Sequence, residues 1–184
     1  MTTLAVFGGS FDPPHIAHVL VACWARLAAP VDRVLIVPTF QHAFGKQSVP
    51  FAHRFRMAEL AMAPLRDVEV SDIERELGGE SRTFHTLEAL SKRYPGASFR
   101  LVIGADILNE THKWFRWEEV AAMAPPLVVG RGGFPTPDES PLVMPELSST
   151  DVRQRLGRGE NLRGEVPPAV LAYIAKHELY GAHA

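Results

Sequence analysis

The sequence predicts an α/β fold: a parallel sheet with helices on both faces, followed by a small helical portion over about 148–184. Three observations predict it. Short apolar runs alternate with helix-like stretches along most of the chain. The runs are continuously apolar, as suits strands buried on both faces. They also stop at Gly or Pro, the residues that close a strand and open a turn. At 184 residues, 46% hydrophobic and 22% charged, the chain has the size and composition of a single domain, 1–184, with its own core.

Residues 4–7 form the first buried run, which ends at Gly8 and Gly9. Residues 16–27 are mostly apolar with few breakers ahead of Pro30, and read as a helix. Residues 34–37 are a second strand, closed by Pro38, and 39–49 are a loop of mixed polarity containing Gly45. Phe51, Phe55, Ala58 and Met62 recur at helical spacing within 50–63. A weak strand at 68–70 precedes a helix over 83–94 that Pro95 and Gly96 terminate. The strand 99–103 ends at Gly104; after a broken stretch comes a helix from about Trp117 to Met123, then a strand over 126–129 closed by Gly130. Residues 130–141, rich in Gly and Pro, read as a surface loop and 142–144 as a short strand. Ser149 or Thr150 caps a helix reaching about Leu156, and Pro167 and Pro168 start a last helix that runs to about His177.

Bulk properties narrow the function. The formal net charge is -2 and the pI about 6.4, so no global positive field draws the chain to nucleic acid or to a membrane surface. No apolar run is long enough to span a bilayer. The opening segment is strand-like, with none of the basic stretch and apolar core of a signal peptide. Cys23 is the only cysteine, so no intramolecular disulfide forms; within the apolar run 19–24 it reads as a buried small hydrophobe. These features set a cytoplasmic location as the expectation.

In a parallel sheet of this kind, ligands bind at the carboxyl ends of the strands. The segment after the first strand is Gly8-Gly9-Ser10-Phe11-Asp12-Pro13-Pro14-His15-Ile16-Ala17-His18. Two glycines let a ligand approach the backbone closely. The N–H groups and dipole of the following helix favour an anion. His15 and His18, three apart, project from one face of its first turn and can donate to phosphate oxygens. Other readings fit less well. The segment lacks the G-x-G-x-x-G of a dinucleotide turn, and Gly45-Lys46-Gln47 fails as a Walker A loop. A helical zinc pair would sit at i, i+4 with a third ligand. Late in the chain, Ser148-Ser149-Thr150-Asp151-Val152-Arg153 sets small hydroxyls and a planar guanidinium at a helix start; alone it reads equally as a plain N-cap with a solvated arginine.

The first turn resembles the G-G-[ST]-F-D-x-x-H-x-x-H motif of the nucleotidylyltransferase superfamily, and residues 147–153 are similar to its late [IL]-S-S-T-x-[IV]-R motif. The resemblance implies a Rossmann-like fold in which His15 and His18 hold a triphosphate. It puts Gly8, Gly9, Ser10, Phe11, Gly104, Asp106, Ser149, Thr150 and Arg153 at ATP. Further stretches extend it to the bacterial nicotinate-nucleotide adenylyltransferase family: Gly104 to Asp106, Trp114 to Glu119, Ser81 to Leu87, Val128 to Arg131, and a closing stretch from Val166 to Tyr180. This implies that Thr83, Thr86, Asp106, Trp114, Trp117 and Arg131 handle a pyridine mononucleotide. One of the two tryptophans is expected to serve the core. Thr83 is also read as an N-cap whose neighbouring N–H groups receive a carboxylate. Many members carry Pro-Pro-His-Lys after the second strand; here that loop is 39–46, with Lys46 expected to face phosphate and Phe44 able to act as an aromatic lid. The facing of Arg54 and Arg56 is open.

The implied reaction is transfer of AMP from ATP to nicotinate mononucleotide, giving deamido-NAD and pyrophosphate, with His15, His18, Lys46 and Arg153 as the catalytic set. The implied cofactor is Mg²⁺, held mainly by ATP phosphates and water. ATP and a pyridine mononucleotide are the expected partners, and a homo-oligomer is compatible with the sequence. The alternatives are an adenylyltransferase for nicotinamide mononucleotide or pantetheine phosphate, or a catalytically silent nucleotide-binding module.

Overall fold

The computed structural model describes residues 2–41, 48–131 and 143–181. Strand β1 (Thr3–Gly9) leads into helix α1 (Ile16–Ala28) and strand β2 (Arg33–Pro38). Helix α2 (Phe51–Met62), strand β3 (Val68–Val70) and the short helix α3 (Ile73–Leu77) follow. The second half runs α4 (Thr83–Arg93), β4 (Ser98–Gly104), α5 (Ala105–Leu108), α6 (Trp117–Met123), β5 (Pro126–Arg131), β6 (Val143–Met144), α7 (Ser149–Gly157) and α8 (Pro168–Lys176). The strands form a sheet in the order β3-β2-β1-β4-β5-β6, every neighbouring pair parallel. The chain works outward from β1 to β3 and returns to β4 on the other side of β1. The carboxyl ends of β1 and β4 therefore flank the switch point, where such sheets open a crevice.

Successive side chains of a strand point to opposite faces, and the core divides accordingly. Leu4 and Val6 of β1, with Leu101 and Ile103 of β4, pack under Phe84, Leu87 and Leu90 of α4 and Val120 of α6. Ala5, Ile36 and Val102 face the other way, against Val21, Ala22 and Ala25 of α1 and Ala58 and Met62 of α2. A third cluster lies beyond α2: Met57 and Ala61 turn from the sheet to meet Val152 and Leu156 of α7, Leu162, Val166, and Val170 and Ile174 of α8. The C-terminal helices are thereby bonded to the main body by a shared apolar layer.

Several expectations are corrected. α3 and α5 were not foreseen. Thr83 is the first residue of α4, not its cap, which is Arg82. α7 is capped by Ser148, whose hydroxyl accepts the Asp151 N–H at 3.1 Å; Ser149 and Thr150 lie inside the helix. Cys23 is half-buried, not enclosed. Of the expected surface loop, 132–142 lie outside the described residues, as do Phe44, Gly45 and Lys46; Arg131 is described only as the backbone end of β5.

Candidate active site

A cavity of about 850 Å³ opens at the carboxyl ends of the strands, within the range of small-molecule sites. Its floor is Gly8, Gly9 and Ser10 after β1, Thr39 after β2, Gly104 after β4 and Gly130 in β5. His15, His18, Ser148, Ser149 and Thr150 also line it, as do Thr83, Thr86, Asp106, Trp114 and Phe115. The sheet's switch point thus brings together both predicted motifs, which lie more than a hundred residues apart in sequence.

The imidazoles are tightly arranged. His15 is the N-cap of α1 and only 4% exposed. Its ring lies 3.9 Å, centroid to centroid, from that of His18. The His15 backbone N–H donates to His18 Nδ1 at 3.1 Å. An imidazole that accepts at Nδ1 carries its proton on Nε2 when neutral, so this bond fixes His18 with an Nε2–H donor. Phe11 backs the pair: its ring is fully buried, 5.0 Å from His18 and edge-on to Phe7 at 5.6 Å. Phe11, expected at ATP, thus has a side chain buried behind the imidazoles. Its φ of 47° is left-handed backbone that a phenylalanine rarely adopts, held here by the packing of its ring. The start of α1 is also less open than expected, because the Ile16 N–H is taken by the Glu165 carbonyl at 2.7 Å.

Behind the floor, Asp12 (1% exposed) and Arg54 (2% exposed) form a buried charged centre. Arg54 leaves α2 for the sheet ends, which settles its facing. Its guanidinium donates to the carbonyls of Val49 (3.0 Å), Ser10 (2.9 Å), Thr39 (2.7 Å) and Phe40 (3.2 Å). One side chain thereby fixes the turns after both β1 and β2. Burial pulls its pKa below the ordinary value and the Asp12 charge opposes that pull; arginine stays charged regardless. Arg56, by contrast, is exposed and pairs with Glu59 at 2.9 Å. Arg153 donates to the Asp12 carbonyl at 2.6 Å and to Thr150 Oγ1 at 3.2 Å, and Ser149 donates to the Pro13 carbonyl at 2.9 Å. The late motif is therefore docked onto the first turn.

Gly104 and Asp106 are closely apposed: a Cβ at 104 would fall 2.3 Å from Asp106 Oδ1, and the carboxylate would have to shift. Thr86 is 3% exposed and its hydroxyl is shared between the Glu74 carboxylate and the Arg82 carbonyl. This places Thr86 as the holder of Glu74, a buried cavity-lining carboxylate that sequence reasoning missed. Trp114 and Trp117 pack edge-on against each other at 5.6 Å and both lie against the core; of the two, Trp114 also lines the cavity. Phe115, 42% exposed, lies under the Arg82 guanidinium at 4.7 Å. Among the described residues no three His, Cys, Asp or Glu side chains gather as a metal cage.

The cytidylyltransferase-like family model matches residues 6–155, which spans both motifs, the end of β1 and all of β2 to β6. Proteins named "Probable nicotinate-nucleotide adenylyltransferase" match along almost the whole chain. The one from Anaeromyxobacter sp. (strain K) is 46% identical over 180 residues, 96% of each chain. This chain belongs to the nicotinate-nucleotide adenylyltransferase family. A second such relative, from Myxococcus xanthus, is 37% identical over 97% of this chain and 94% of its own. The fold agrees with a solved structure, the Plasmodium falciparum nicotinic acid mononucleotide adenylyltransferase complexed with NaAD. That likeness has a TM-score of 0.83 at 22% identity, covering 100% of this chain and 99% of the other. No helix among the described residues is long and apolar enough to cross a membrane.

Proposed function

We propose that the chain transfers AMP from ATP to nicotinate mononucleotide, releasing pyrophosphate and forming deamido-NAD. The observation that carries this reading is a single cavity that joins an imidazole pair and a helix start to a set of polar and aromatic side chains. The names of the full-length relatives support the same substrates.

An acceptor phosphate oxygen attacks the α-phosphorus of ATP; the new P–O bond forms as the bond to the β-phosphate oxygen breaks, and pyrophosphate departs. The acceptor phosphate is already ionised near neutral pH, so the chain needs neither a nucleophile nor a strong base. Its work is positioning and charge stabilisation. The Nε2–H of His18 and the buried His15 face the phosphates, with Ser149, Thr150 and Arg153 beside them. Asp106 accepts from acceptor hydroxyls, and Trp114 offers a ring face to the pyridine. Thr83 sits at the start of α4, where backbone N–H groups suit the nicotinate carboxylate. Lys46 and Arg131 are assigned to phosphate and mononucleotide on the family resemblance alone. A Mg²⁺ ion would enter on ATP, held mainly by phosphate oxygens and water, and would neutralise charge on those oxygens beside the protein donors. The lone thiol and the ATP substrate fit a cytoplasmic setting.

Steady-state pyrophosphate release with Mg-ATP and each of nicotinate mononucleotide, nicotinamide mononucleotide and pantetheine phosphate tests the reading. The acid is expected to have the highest kcat/KM, by tenfold or more on the order of one discriminating polar contact. Equal or greater kcat/KM with either competitor would overturn the assigned acceptor.

A further inference from the structure

Tyr180 lies in a short 3₁₀ turn, Leu179–Gly181, at the end of the C-terminal portion. Its hydroxyl donates to Asp12 Oδ1 at 2.8 Å, across 168 residues of sequence. The Val49 N–H approaches the same oxygen at 3.4 Å. The other carboxylate oxygen, Oδ2, stands 3.4 Å from Arg153 Nη1. A charge-assisted pair normally closes to about 2.7–2.9 Å, so this one is loose. Arg153 is 23% exposed while its carboxylate is 1% exposed.

We propose that Tyr180 is a positioning residue for the phosphate site: by holding Oδ1 it keeps Asp12 from closing on Arg153, and so leaves the guanidinium able to bind the nucleotide phosphates. The proposal rests on the reading of Arg153 as a phosphate ligand. Its logic is competition for one carboxylate. Asp12 serves Tyr180 and Val49 through one oxygen and Arg153 through the other, with Arg54 supplying a second positive charge nearby. Remove the phenol and the carboxylate is free to turn, so that the Arg153 pair tightens at the expense of phosphate. Burial and the adjacent Asp12 charge raise the Tyr180 pKa, so the hydroxyl remains a donor at any working pH. Tyr180, from a third segment, thus bonds Asp12 of the first turn directly and bears on Arg153 of the late motif through that carboxylate.

Tyr180→Phe removes only the hydroxyl and keeps the ring packed against the third core cluster. The expected result is a three- to tenfold weaker ATP affinity, the value of about one hydrogen bond. It is measured by calorimetry without acceptor and as KM in turnover, with mononucleotide KM and Tm near those of the parent. Asp12→Asn removes the charge that would capture Arg153, so in the Tyr180→Phe/Asp12→Asn double variant the Tyr180 effect should vanish. Unchanged ATP affinity in Tyr180→Phe, strictly additive effects, or equal losses for both substrates with a lowered Tm would each overturn the proposal. Leu179→Ala supplies the control for mere loosening of this turn. Absence of turnover by the parent with nicotinate mononucleotide would sink the acceptor reading instead, and the calorimetric comparison would still stand.

Discussion

His18 carries two duties in one ring. Nδ1 accepts the His15 N–H and closes the first turn of α1, and the residue also lines the cavity, where its Nε2–H is proposed to serve phosphate. His18→Ala is therefore expected to lower kcat by about 10²–10³, the usual loss of one preorganised donor. It should also cost about 1 kcal/mol of stability for the lost cap, a Tm change of about 2–4 °C. Paired turnover and thermal melting separate the two effects. Gly104 shows the same economy by different means, since the space a Cβ would need is already filled by the Asp106 carboxylate. Gly104→Ala should displace that carboxylate and reduce kcat/KM by about tenfold to a hundredfold. A Gly104→Ala enzyme with parental kinetics would show that Asp106 has no positional role. The imidazoles and Asp106 could be read from sequence because each sits in a short motif directly after a strand. Asp12 and Tyr180 stand in matched stretches, but their pairing spans 168 residues and the reach of Arg54 to Ser10 spans 44, and nothing local marks those contacts.

At the scale of elements, the continuous apolar runs and the breakers after them made β1, β2, β4 and β5 legible. Long amphipathic stretches did the same for α1, α2 and α4. α3 and α5 have five and four residues, less than the span over which a 3.6-residue period repeats, so they leave no pattern to find. That omission also hid Glu74, which α3 carries into the cavity. The shift of the α7 cap from Ser149 to Ser148 is a one-residue error of the usual kind for helix ends, and it changes roles: Ser148 serves the helix while Ser149 reaches back to Pro13. Ser148→Ala should cost about 1 kcal/mol, seen as a Tm lower by about 2–4 °C, with little change in kcat. A much larger loss of kcat than of stability would move Ser148 into the phosphate site itself.

For the whole molecule, the C-terminal portion behaves as the back wall of the nucleotide site. Glu165 gives its carbonyl to the start of α1, and its carboxylate binds Arg155 at 2.6 and 2.7 Å. Arg155 also holds Glu160 and Asp151, and Glu165 keeps a pKa below its ordinary 4.5, chiefly through the bonds from Arg155. A carboxylate whose folded pKa is depressed stabilises the fold above its unfolded value and loses that contribution as pH falls through the folded one. Glu165→Gln should therefore melt slightly below the parent near pH 7, and the two Tm curves should merge as pH drops below 4.5. The difference should be no more than a few degrees and should shrink in added salt, because the pair is part-exposed. A gap that persists unchanged in acid would assign the effect to packing.

Asp12 leaves the ribosome 168 residues ahead of Tyr180. A ribosome can thus release most of the sheet to fold while the carboxylate beneath the nucleotide still lacks its last partner. Under the role proposed for Tyr180, an emerging chain would tune its phosphate grip only once that residue has docked on Asp12.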